Sequence, residues 1–321
     1  MANGDIVFFG TPQICLPFLD ALRCRWTIGL IITQPDAGSG RQRRMQSPPV
    51  KEYAQGHGID LWQAETLSAP QEAAEAAKRI EALKPLLAVV IAYGKMIPRR
   101  LFTMPRFGTV NLHFSLLPKY RGAAPVQRAI AAGETRTGMT VFEISQSLDA
   151  GDIWCQQEME ILPEETAEAL VRRMTETGPQ FLVSTVAGIV AARLSKRPQD
   201  HALATFAPAL RKEEGRIDWQ LSANELANRF RAFFPWPGLY FPLGDQRIKV
   251  MRARAAPVAA QPTKPTSSAQ PGKILAIDRD GMRICCGSGT VLAVEEIQPA
   301  GKRPMAPCDF CRGNPLPERL I

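Results

Sequence analysis

The sequence predicts an α/β domain built on a mostly parallel sheet, followed by a small all-β domain. Three observations carry this. Apolar runs lacking period-2 alternation recur among helix-like stretches in the first 150 residues, and short apolar runs broken by turns fill the last third. The length, 321 residues with 45% hydrophobic side chains, exceeds one comfortable core and gives neither half the composition of a disordered chain.

Ile6-Val-Phe-Phe9, then Gly10-Thr-Pro12, a helix-like stretch to about Leu22 and an apolar run over 26–33 read as strand, turn, helix, strand. A helix is expected over 69–83. The run 86–92 has no alternation, so it belongs in the middle of a sheet covered on both faces. Residues 109–113 and 139–144 are further strands, separated by a Gly/Pro-punctuated loop and a helix near 126–132. Residues 164–194 read as helix, interrupted or kinked at Gly178-Pro179, because proline cannot donate to the helical ladder. The polar stretch after it reads as a linker, giving domains over 1–194 and 207–321 with the linker at 195–206. In the second domain, short runs at 238–241, 247–252, 273–277, 282–286 and 291–297 suggest a small β-barrel or sandwich. Residues 255–272, rich in Pro, Ala, Ser and Thr, read as a flexible loop within it. No internal repeat is visible.

The N-terminal segment lacks the basic and apolar regions of a secretory signal, and no run supplies about 20 apolar residues for a membrane span, so a cytoplasmic protein is expected. Seven scattered cysteines do not form a disulfide framework. Cys308-Asp-Phe-Cys311 has metal-ligand spacing but no second pair to complete a four-ligand zinc site, and the adjacent Cys285 and Cys286 would point to opposite faces of a strand. The net charge of +8 is uneven: residues 1–200 carry 22 Lys+Arg against 20 Asp+Glu, and residues 201–321 carry 17 against 11. A basic last third suits contact with a polyanion, and equally suits plain solubility.

Asn111-Leu-His113 ends a predicted strand, immediately before Phe114-Ser-Leu-Leu-Pro118. In open α/β sheets ligands gather beyond the carboxyl ends of the strands, and alternation puts Asn111 and His113 on one face. An amide donor beside a titratable imidazole can hold a carbonyl oxygen and stabilise the charge it develops. The other histidines, His57 and His201, sit in polar, loop-like surroundings. Leu148-Asp-Ala-Gly-Asp152 follows the strand ending at Ile144, so it too is expected on the carboxyl-end side, where Asp149 could meet His113. A carboxylate there would raise the imidazole pKa and orient the ring; the alternative is a turn that satisfies its own backbone.

Together with Phe9-Gly-Thr-Pro12, Thr33-Gln-Pro-Asp36, Val90-Ile-Ala-Tyr-Gly94, Arg121-Gly-Ala-Ala-Pro125, Arg216-Ile-Asp-Trp219, Phe234-Pro-Trp-Pro237 and Gln298-Pro-Ala-Gly-Lys302, these motifs form an ordered series. The series resembles the folate-dependent formyltransferase family over almost the whole chain. One departure is Phe114, where the family commonly has glycine. The resemblance implies a Rossmann-like catalytic domain and an OB-like C-terminal domain that helps bind tRNA. It further implies 10-formyltetrahydrofolate as donor, the methionine α-amine on initiator tRNA as acceptor, and a monomer. By carry-over, Asn111, His113 and Asp149 are the catalytic triad, and Tyr93, Gly94, Ser115, Leu116, Leu117, Pro118, Ser147 and Leu148 lie near the folate. Mechanistically, Asn111 and His113 would hold the oxyanion, His113 would protonate the departing folate nitrogen, and Asp149 would keep the imidazole protonated and accept the amine proton.

No metal or nicotinamide is implied, and the residues agree on the second point, since Phe9-Gly-Thr-Pro12 lacks a G-x-G-x-x-G fingerprint. Sugar-nucleotide formyltransferases and the hydrolase part of formyl-folate dehydrogenase are the nearest rivals. The loop Gly40-Arg-Gln-Arg-Arg44 favours tRNA, with Arg41, Arg43 and Arg44 as contacts and Arg41 at the family's loop arginine. Trp219 and Trp236 could touch RNA bases, although Trp219 reads better as domain packing.

Overall fold

Ile6 to Phe9 are buried on both faces, which makes β1 (Asp5–Gly10) a central strand rather than an amphipathic edge. The computed structural model describes residues 5–39, 44–256 and 270–321. After β1 come α1 (Leu16–Arg23), β2 (Thr27–Thr33), the antiparallel pair β3 (Ala37–Ser39) and β4 (Arg44–Gln46), α2 (Pro49–Gly56), β5 (Leu61–Gln63), α3 (Pro70–Leu83) and β6 (Leu87–Ile91). They are followed by α4 (Arg99–Phe102), β7 (Thr109–His113), α5 (Pro125–Ala131), β8 (Arg136–Glu143), β9 (Ile153–Glu160) and α6 (Ala167–Val190).

Seven of these strands form one sheet in the order β5-β2-β1-β6-β7-β8-β9. The ladders from β5 to β7 are parallel, whereas β8 is antiparallel to both β7 and β9. The chain runs outward from β1 through β2 to β5, then returns to β6 and β7 on the other side of β1. This reversal is the switch point at which open α/β sheets leave a crevice beyond the strand ends. Val7, Phe9, Leu30, Ile32, Val90 and Tyr93 form a core with Ala76 and Ile80 of α3.

Helix α6 runs through Pro179 instead of stopping there. Met174, Leu182 and Val186 stay fully buried along one side of it. At about 2 kcal/mol each, their burial exceeds the ~3 kcal/mol cost of an interior proline. Gly178 is required beside it, since a Cβ there would lie 2.8 Å from Met139 Sδ and 2.9 Å from the Phe18 ring.

By contacts the chain forms two units. The first holds Met1–Pro125, Arg136–Glu160 and Val171–Pro208, and the second holds Val126–Thr135, Ile161–Leu170 and Ala209–Ile321. Residues 195–206, expected as a linker, are counted with the first unit: Arg197 exchanges two backbone hydrogen bonds with Ile153, and the Thr205 carbonyl accepts the Arg121 N–H.

In the second unit, α7 (Ala223–Phe233) precedes β10 (Tyr240–Leu243), β11 (Gln246–Ala255), β12 (Ile274–Asp278), β13 (Gly281–Cys285), β14 (Val291–Pro299) and the short α8 (Pro307–Cys311). The five strands form an antiparallel sheet in the order β10-β11-β14-β13-β12, the small β domain that five short runs predict. Trp219 is buried against Phe241, with ring centroids 6.3 Å apart, while Trp236 is exposed. Most of the expected 255–272 loop lies outside the described residues. Among the described residues no helix is long and apolar enough to cross a membrane.

Candidate active site

Strand β7 lies between β6 and β8, with Asn111 opposite Val90 and Phe142 and His113 opposite Thr140. The His113 ring is buried and sits edge-on to Phe142 at 6.4 Å. Its Nε2 lies 2.8 Å from the Tyr120 carbonyl. A carbonyl only accepts, so Nε2 carries the hydrogen and Nδ1 is the nitrogen left to titrate. Nδ1 faces Asp149 Oδ2 at 3.7 Å, and that same oxygen accepts the Gly122 N–H at 2.8 Å. Residues 120–122 thus touch both members of the pair.

Burial is the largest influence on His113 and pushes its pKa below the ordinary histidine value. The Asp149 charge and the Tyr120 carbonyl push the other way without cancelling it. Burial thus favours the neutral imidazole over the imidazolium. That direction runs against the expectation that Asp149 keeps the imidazole protonated, because desolvation acts on it more strongly than the carboxylate. Asn111 is half-buried, and its carboxamide makes no hydrogen bond among the described residues.

Asp149 reaches His113 by a different route from the one the sequence suggests. Because β8 is antiparallel, its last residue, Glu143, pairs with Val110 near the start of β7, and Ile144 donates to the Thr109 carbonyl. The following loop leaves from the wrong end and must turn back. It does so with Asp149 in the left-handed region, at φ 47°, and with Gly151 so close to β8 that a Cβ would lie 1.8 Å from the Glu143 carbonyl oxygen. Gly151→Ala is accordingly expected to displace the Asp149 loop, lowering turnover by about 10-fold or more and stability by ~1–3 kcal/mol. Steady-state kinetics and thermal melting check both; an alanine enzyme that matches the parent would mean the loop is not tightly set.

Thr140, opposite His113, shapes the Ser115–Pro118 loop. Its hydroxyl donates to the Ser115 carbonyl at 2.6 Å and accepts the Leu117 N–H at 3.1 Å and Gln156 Nε2 at 3.0 Å. The Ser115 hydroxyl closes the loop on the Lys119 carbonyl at 2.7 Å. Ser115 and Leu117 are buried, Leu116 and Pro118 half-buried. Phe114 points its ring at Phe18, edge-on at 6.3 Å, so the residue standing for the usual glycine is anchored on α1. Ser147 and Leu148 are exposed beside Asp149.

Tyr93 differs in kind. Its side chain is in the core, edge-on to Phe9, with no hydrogen-bond partner for its hydroxyl among the described residues and with that hydroxyl pushed up to about 12 by burial. What it presents to the β6 end is its carbonyl, which accepts Gln34 Nε2 at 2.6 Å, next to Gly94 at φ 75°. Arg41 and Arg43 lie outside the described residues; Arg44 is the first residue of β4, and its side chain is not described. Tyr120, Gln156 and Gln199 carry no signal in the sequence that would mark them for the site. Gly122 falls within the quoted Arg121-Gly-Ala-Ala-Pro125 motif, whose glycine was the available signal. Among the described residues no group of three or more His, Cys, Asp or Glu side chains is arranged for a metal ion; Cys308 and Cys311 lie on α8.

Residues 5–186 match the formyl transferase domain family, and residues 209–315 match the formyl transferase C-terminal domain. The methionyl-tRNA formyltransferase of Acidobacterium capsulatum is 41% identical over 312 residues, covering 97% of both chains. That of Thermus thermophilus is 41% identical over 308 residues, covering 96% of this chain and 95% of its own. Among solved structures, the sugar 3N-formyl transferase WlaRD, determined with dTDP and 5-N-formyl-THF, has a TM-score of 0.65 at 16% identity, covering 94% of this chain and 100% of that one. An N-formyltransferase from Helicobacter canadensis, in complex with folinic acid and dTDP-3-aminofucose, has a TM-score of 0.65 at 17% identity over 90% of this chain and 98% of that one. At those identities the likeness is one of fold. The matches to both domains and to full-length relatives about 40% identical place this chain in the formyl transferase family, among the methionyl-tRNA formyltransferases.

Proposed function

We propose that the chain, acting as a monomer, transfers the formyl group of 10-formyltetrahydrofolate to the α-amine of methionine on initiator methionyl-tRNA. The observation that carries this is the His113–Asp149 pair at the end of β7, the strand that also carries Asn111, in a chain that belongs to this family. The folate supplies a formyl carbon on a nitrogen that can leave once protonated. Asn111 donates its amide hydrogens to the formyl oxygen as that oxygen gains charge. Neutral His113 takes the proton of the attacking amine on Nδ1, and Asp149 stabilises the imidazolium so formed. The same Nδ1 returns the proton to the leaving nitrogen, so the new C–N bond forms, the old one breaks, and His113 ends neutral.

The test is to mix the purified protein with 10-formyltetrahydrofolate and charged initiator tRNA and to follow formylmethionine, with a dTDP-amino sugar as the competing acceptor. Formylated sugar without formylated tRNA would overturn the acceptor assignment.

Arg41, Arg43 and Arg44 are the proposed tRNA contacts. Replacing all three by Ala should weaken tRNA use and lower the slope of log KM against log salt by roughly one unit per lost phosphate contact, with folate binding intact. A wild-type slope in the triple variant would leave recognition to the basic last third of the chain.

A further inference from the structure

We propose that Gln199 is a positioning residue for Asp149, acting by holding the backbone of its loop; this rests on the reading of Asp149 as part of the catalytic pair. Gln199 is buried. Its Nε2 donates one hydrogen to the Asp149 carbonyl at 2.9 Å and the other to the Gly151 carbonyl at 2.7 Å. Its Oε1 accepts from Arg121 Nε at 3.2 Å and Nη2 at 2.6 Å. Rotating the amide by half a turn would set its NH2 against a guanidinium and its oxygen against two carbonyls, so the neighbours fix the orientation.

The placement is specific. A left-handed residue such as Asp149 does not hold its conformation unaided, and the loop returns toward His113 from the far end of β8. Gln199 pins the carbonyls on both sides of Ala150, while the Gly122 N–H holds the Asp149 carboxylate itself. Both holds converge on one strip of chain. Tyr120 accepts from His113, Arg121 donates to Gln199, and Gly122 donates to Asp149. The strip is tied in turn to residues 205–207: Tyr120 N–H donates to Thr205 Oγ1 at 2.9 Å, and Arg121 exchanges backbone bonds with Thr205 and Ala207. A Cβ at Gly122 would lie 2.6 Å from the Ala207 carbonyl oxygen, so this approach admits only glycine. The segment after α6 thereby sets the distance between Nδ1 and the carboxylate.

Gln199→Met keeps the length and removes both donors. In the full-length enzyme with charged initiator tRNA and 10-formyltetrahydrofolate, kcat per folded molecule should fall roughly 10- to 100-fold, with both KM values within about 2-fold, as for a catalytic group displaced by about an ångström. Gln199→Glu retains an acceptor for Arg121 and controls for folding; it should lose turnover like the Met variant. The deciding measurement is the cycle with Asp149→Ala. With no carboxylate left to place, Gln199→Met should cost less than about 2-fold further. An equal cost in both backgrounds, or wild-type kcat in Gln199→Glu, overturns the positioning role while leaving the catalytic reading intact. Wild-type turnover in Asp149→Ala overturns the catalytic reading, and the role of Gln199 with it.

Discussion

Turnover of the His113→Asn enzyme is expected to fall by at least about 100-fold, equivalent to ~2.7 kcal/mol of transition-state stabilisation, with tRNA binding nearly unchanged. Asparagine carries its amide where Nδ1 stood and does not reach the Tyr120 carbonyl that Nε2 holds, so thermal melting is run beside the kinetics. What it lacks is a second nitrogen able to take a proton where Nδ1 faces Asp149. Single-turnover formylation against a tRNA-binding titration separates the two effects. Near-normal turnover would remove His113 from the mechanism and leave Asn111 and Asp149 to carry it. The substitution should also show in stability. Because burial lowers the His113 pKa in the fold, the unfolded chain binds the proton first as pH drops below about 6.5, and the native state loses stability from there down to the folded pKa. His113→Asn abolishes that component, which denaturation at several pH values detects.

Much of this candidate site is legible in the sequence because β7 announces itself: five residues, Thr109 to His113, bounded by Gly108 and the Ser-Leu-Leu-Pro loop, with Asn111 and His113 on one face. The buried strands β1 and β6 are equally plain, since side chains covered on both faces leave unbroken apolar runs. The direction of β8 is not legible, because a strand's own pattern does not say which way its neighbour runs. Asp149 does come within 3.7 Å of His113, but by a loop that turns back and not by the strand direction that the sequence suggests. Helix α7 is not among the expected elements, yet a start signal for it is present. Ser222 and Glu225 form a capping box, Ser222 Oγ accepting the Glu225 N–H at 3.3 Å and Glu225 Oε2 accepting the Ser222 N–H at 2.8 Å. The 195–206 stretch looked like a linker because its side chains are polar. Gln199 shows the limit of that inference: polarity marks exposure only when the polar groups have no partners inside.

Asp149→Asn is the sharper substitution, because the amide keeps an oxygen for the Gly122 N–H and the volume that fills the loop while losing the charge. Turnover should drop about 100-fold, since the imidazolium formed on Nδ1 then has no counter-ion in a buried site. The pH dependence carries more information than the rate. If neutral His113 is the proton acceptor, kcat rises with pH through the ionisation of the pair, with an acid limb below the ordinary histidine value of about 6.5. Asp149 raises the His113 pKa against the larger effect of burial, so removing its charge must move that limb to still lower pH. A limb set by the methionine amine of the substrate would stay where it was, because that group titrates outside the enzyme. A limb that moved upward would mean that the carboxylate does not favour the imidazolium. The three outcomes separate on one pH series of the parent and Asp149→Asn enzymes at saturating substrates, and only the acid-ward shift agrees with a proton that passes through Nδ1.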